Sequence, residues 1–131
     1  MIEEIFSVAK ALWDYKDLFN KAKREKRDRI ANYFEQISRC LVETSTMLKN
    51  NQYPHGACGE MLGYADMLPE TVGGIISKEK AQDLANQLRS MHELEKLYSQ
   101  LHDAPDKDEQ LGRLLEASGI LQALANSLRA A

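Results

Sequence analysis

The sequence predicts an all-α fold, an up-and-down bundle of four to five helices, one of them short and ended by proline. Three observations predict it. The 131 residues include 17 Leu and 14 Ala, against 13 Val, Ile and Thr together. Ala and unbranched side chains suit a helix, whereas β-branching restricts χ1 there. Apolar residues recur at three- and four-residue steps, the spacing of one helix face. Pro54-His55-Gly56, Gly73-Gly74 and Pro105 fall between those stretches and stop helices. A chain of this length is expected to form one domain, residues 1–131, burying about two-thirds of its unfolded surface.

The elements follow in order. Ile2, Ile5, Phe6, Ala9, Leu12, Trp13 and Phe19 mark an amphipathic first helix over residues 1–20. A second stripe, Ile30, Phe34, Ile37, Leu41, Thr44 and Leu48, opens the main bundle at 30–131. Continuing the first stripe beyond Phe19 would put Lys23 and Lys26 or Arg27 in the core, where unpaired charge is too costly. Residues 21–29 are therefore expected to form a basic hinge or overhang. Asn50 to Gly56 reads as a loop. A short helix follows, with Cys58, Met61, Leu62, Ala65 and Leu68 on one side and Pro69 ending it. Ser77 is the expected N-cap of the next helix, which carries Ala81, Leu84, Ala85, Leu88, Met91, Glu95, Tyr98 and Leu101 towards His102. Asp106 and Glu109 have the spacing of a capping box and open the last helix, with Leu111, Leu114, Leu115, Ser118, Leu121, Ala125 and Leu128.

The search for chemistry returns little. No Glu-x-x-His pair is present, because the residues three before His55, His92 and His102 are Gln52, Arg89 and Ser99. No phosphate-binding glycine loop, His-Glu-x-x-His or Cys-x-x-Cys occurs. His55 and Cys58 supply two metal-capable groups where a zinc site needs about four. A loop histidine beside a buried cysteine is the plainer account. Glu93, Glu95, Glu116 and Asp66 have no spacing that suggests acid–base catalysis. No enzyme activity, cofactor or metal is expected.

Charge is more informative. The net charge of −3 conceals a segment, residues 16–29, with seven basic and three acidic residues, net +4. The remainder is −7. That segment follows directly on Trp13 and Phe19. Residues Trp13, Phe19, Lys21, Lys23, Arg24, Lys26, Arg27 and Arg29 are accordingly the candidate partner-binding set. The expected function is a non-enzymatic helical interaction module, an adaptor or regulatory domain, with a protein partner or self-association. The alternative is a membrane-surface effector, since an apolar helix face beside a basic run is a two-signal recipe for lipid. Glu3, Glu4, Asp14 and Asp17 would repel anionic lipid, so packing or dimerisation ranks above it. Nucleic acid ranks lower, as no recognised binding fold accompanies the basic run. The acidic start, Met1-Ile2-Glu3-Glu4, is unlike a secretory signal, and Cys40 and Cys58 suit a reducing compartment. The expected location is the cytoplasm.

Overall fold

In the computed structural model, which describes residues 2–90, 98, 99 and 101–131, the apolar periodicity resolves into six helices packed as a bundle. No strand occurs among the described residues. The helices are α1 (Ile2–Asp14), α2 (Lys16–Asn20), α3 (Arg24–Lys49), α4 (His55–Thr71), α5 (Lys78–Arg89) and α6 (Lys107–Ala130). The helix expected to run from Ser77 towards His102 is described as α5 to Arg89, and of its later residues Tyr98, Ser99 and Leu101 are helical, with Leu101 buried. Met91, His92, Glu93 and Glu95 lie outside the described residues.

The core is one cluster to which every helix contributes. α1 buries Ile2, Ile5, Val8, Ala9 and Leu12, and α3 buries Ile30, Phe34, Ile37, Leu41, Thr44 and Leu48. The helices close into a ring in which α6 packs on both α1 and α3, α3 on α4, α4 on α5, and α5 back on α1. The last helix thus packs on both α1 and α3, the two long helices at the start of the chain. Small polar residues allow α3 and α6 to approach closely. Ser38 Oγ lies 2.8 Å from Ser118 Oγ, and each hydroxyl also donates to the other residue's carbonyl, at 2.9 and 3.1 Å.

Local punctuation departs from the sequence reading in four places. The first helix breaks at Tyr15, so its apolar stripe is divided between α1 and the five-residue α2. The chain leaves helix only at 21–23, and Arg24 to Arg29 already belong to α3. Pro69 lies inside α4, which runs 17 residues to Thr71 and is not short. Proline cannot donate to the carbonyl four residues back, but Val72 N–H restores the pattern on Leu68 O at 3.1 Å. Asp106 makes no cap; its Oδ2 accepts instead from Gln110 Nε2 at 2.9 Å.

Two stops follow expectation. Ser77 Oγ caps α5 by accepting from Lys80 N–H at 3.2 Å. After α3, Asn51 adopts φ 57°, a left-handed conformation that Asn tolerates. There, Asn51 N–H bonds Leu48 O at 3.1 Å and Gln52 N–H bonds Met47 O at 2.8 Å. That pair of bonds satisfies the orphan carbonyls of the helix end. Tyr98 Oη donates to Asn51 O at 2.7 Å and Lys107 Nζ to Asn51 Oδ1 at 2.6 Å, which fastens this turn to the chain entering α6.

Candidate functional site

The sequence-derived candidates divide into four groups. Phe19 does not belong at a surface. It is 0% exposed and packs edge-on against Phe34, with centroids 5.5 Å apart. The reason is its register: Phe19 stands seven residues beyond Leu12 and inherits the inward face. Lys26 and Arg27 are half-buried and bound to backbone. Lys26 Nζ donates to Gly73 O at 2.5 Å, ending the α4–α5 turn. Arg27 donates to Ala22 O at 3.1 Å and to Ala131 O at 3.0 Å, tying the α2–α3 turn to the end of α6. These two cations do structural work that a basic patch would not need.

Lys21, Lys23, Arg24 and Arg29 remain exposed. Among the described residues, none of the basic side chains of 16–29 forms an ion pair, whereas Arg39, Lys80, Arg89, Arg113 and Arg129 all do. Arg24, Lys26 and Arg27 also sit in the opening turn of α3, where the backbone dipole is already positive and cations are disfavoured. Arg29 and Lys26 border a cleft of about 420 Å³ between α3 and α4, with Tyr33, Met67 and Glu70. The cleft mixes charges and carries no convergent set of groups.

Trp13 marks a different place. It is 37% exposed on the edge of α1 that faces α6, at one end of an apolar groove of about 550 Å³. Phe6, Gly119, Ile120 and Ala123 form the rest of its lining, with Lys10, Asp14 and Glu116 on the rim. Phe6 and Trp13 are seven residues apart and so share one edge of α1. Each aromatic face holds a cation. Lys16 Nζ stands 4.6 Å from the Trp13 ring, and Lys10 Nζ and the Arg113 guanidinium lie 5.4 and 4.8 Å from Phe6. Arg113 also pairs with Glu3 at 3.3 Å and Glu116 at 3.4 Å, which bolts α1 to α6 at the end away from Trp13. On the floor, a Cβ added at Gly119 would meet no atom beyond its own helix backbone within 4 Å. The groove is open.

No family model, curated protein or solved structure matches this chain. The groove therefore has to be judged on its own chemistry.

Among the described residues, no three His, Cys, Asp or Glu side chains converge as metal ligands do. His55 packs at a tilt against Tyr53, with ring centroids 4.1 Å apart. Cys40 Sγ donates to Ala57 O at 3.2 Å, and burial, reinforced by Glu60 and Glu43, pushes its thiol up to about 12. Burial raises the Cys58 thiol as well. Thiols shifted in that direction are poor nucleophiles. Tyr33 is likewise raised by burial, and its hydroxyl donates to Tyr64 O across the α3–α4 contact. No helix among the described residues is long and apolar enough to cross a membrane.

From the sequence, Phe6 is placed only on the apolar stripe of the first helix, and Lys10, Gly119, Ile120 and Ala123 are not singled out. Gly119 lies within the least charged stretch of α6, and no motif announces a bare helix surface. The seven-residue step from Phe6 to Trp13 was the available signal.

Proposed function

We propose that this chain is a non-enzymatic helical interaction module whose contact surface is the groove between α1 and α6. The observation that carries this reading is the half-exposed Trp13 beside an apolar floor in which Gly119 leaves room for another chain. Exposed aromatic residues are costly in water, and Trp is enriched where interfaces concentrate their binding energy. An adaptor or regulatory role follows from that surface and from the lack of a catalytic constellation among the described residues. The cytoplasmic placement rests on two free, buried thiols, Cys40 and Cys58.

The four exposed cations of the α2–α3 corner are the secondary surface. They attract an acidic partner at long range and so act on its rate of arrival more than on its grip. The membrane reading has less support. Ile2, Ile5, Val8, Ala9 and Leu12 are buried in the bundle, so lipid would gain the apolar face of α1 only if that helix left the core.

A photo-crosslinking side chain placed at Ala123, on the groove floor, tests the reading in living cells against the same group at Gln82, exposed on α5. Discrete adducts at position 123 and none at 82 are expected. Equal labelling at both positions, or none at either, would contradict it.

A further inference from the structure

The groove has a rim of an unusual kind. Lys10 and Asp14 stand one turn apart on the exposed edge of α1, and both border the groove. Neither forms an ion pair among the described residues, although exposed partners of both signs are abundant. The groove's other acid, Glu116, is already held by Arg113. What remains outside ion pairs is one positive charge, held only against the Phe6 ring, and one negative charge, in sequence along one helix beside an apolar floor.

A rim of a single sign would fit a partner of the opposite sign. A rim that changes sign along one helix is complementary to itself when a second copy runs antiparallel, which is the geometry of a two-fold interface. We propose that a second copy of this chain occupies the groove, with the two α1 helices antiparallel about an axis on the exposed edge of α1, midway between Lys10 and Asp14. Residue 10 of each copy then faces residue 14 of the other, so two identical Lys10–Asp14 pairs form. The two Trp13 side chains flank the axis, each directed at the apolar floor of the opposite copy. Gly119, open above its backbone, admits the approaching ring.

The contact is modest in size. α1 has 13 residues and is about 20 Å long, so the interface falls towards the small end of specific ones and predicts micromolar association. The inference rests on the groove being the contact surface, and it adds the identity of one occupant.

Trp13 is the chain's single tryptophan, which makes its emission a direct reporter. Sedimentation equilibrium between about 1 and 500 μM, the range for an interface of this size, is paired with emission spectra over the same range. The expected result is a reversible monomer–dimer equilibrium, with Trp13 emission shifting to shorter wavelength as the dimer forms. A Cβ at Gly119 has room, so Gly119→Glu should fold, stay monomeric and keep its helicity. Lys10→Glu should weaken the dimer about tenfold. Lys10→Glu combined with Asp14→Lys should recover it to within about threefold. A dimer indifferent to Gly119→Glu, or a double variant as weak as the single one, would overturn the proposal. So would a monomer at every concentration; if Ala123 still forms adducts, only self-association is lost, and if it forms none, the groove reading falls with it.

Discussion

Ser38 and Ser118 show how single side chains set the distance between the two longest helices. Each hydroxyl donates to the facing carbonyl, so α3 and α6 approach with both serine hydroxyls paired. Replacing Ser118 by Val adds bulk where the backbones are close. Its expected cost is about 1–3 kcal/mol in chemical denaturation, against about 1 kcal/mol for Ser118→Ala, which removes hydrogen bonds without overpacking. The thiols make a second prediction at this scale. Burial raises Cys40 to about 12 and raises Cys58 in the same direction, so both are less ionised than a free thiol, and both side chains are shielded from solvent. Both cysteines should resist a thiol reagent in the folded chain and react promptly once it is unfolded; fast native labelling would contradict their burial.

Among the elements, α3 carries two features of opposite effect. Its start gathers cations at the positive end of the helix dipole. Arg24→Glu should therefore stabilise the fold by about 0.3–1 kcal/mol at low ionic strength, with the gain shrinking in salt. Its middle is fastened to α6 by Glu35, which lies 2.8 Å from Arg129 and 3.6 Å from Arg39. The Arg129 hydrogen bond, with the charges of Arg129 and Arg39, holds the Glu35 carboxyl below its usual range. A carboxylate depressed in the folded state stabilises above its unfolded value and loses that contribution as pH falls through the folded one. Glu35→Gln should thus melt earlier than the parent near neutral pH, and the two should converge in acid. A constant gap across the titration would contradict this.

The elements also show what the sequence could convey. Buried positions of α3 were legible because one long helix keeps one phase from Ile30 to Leu48. In α1 the phase was equally present but the width of the buried face was not. Ile5, Leu12 and Phe19 recur every seven residues and are buried; Phe6 and Trp13 recur likewise, about 100° further round the helix, and stay at its edge. Only the position of α6 decides which series is covered. The roles of Lys26 and Arg27 were hidden for a related reason. Their acceptors, Gly73 O and Ala131 O, lie 47 and 104 residues away, and a carbonyl has no sequence signature.

At the scale of the whole molecule, the ring of helices places the last helix between the first and third. Short connections suggest sequential neighbours, which is why the sequence implied a simpler order. Inserting α6 there creates the groove, since the bare surface at Gly119 and Ala123 meets the Phe6–Trp13 edge only in that arrangement. The net charge of the chain says nothing of this place, and the basic segment 16–29 turns out to be partly structural. The account therefore turns on whether Trp13 is covered when the protein works. Hydroxyl-radical footprinting inside cells, compared with the purified chain at low concentration, measures that directly. Trp13 should be protected from oxidation in cells while Met67, 49% exposed on α4, is oxidised equally in both settings. Equal oxidation of Trp13 in the two settings would contradict the assignment of the α1–α6 groove as the contact surface.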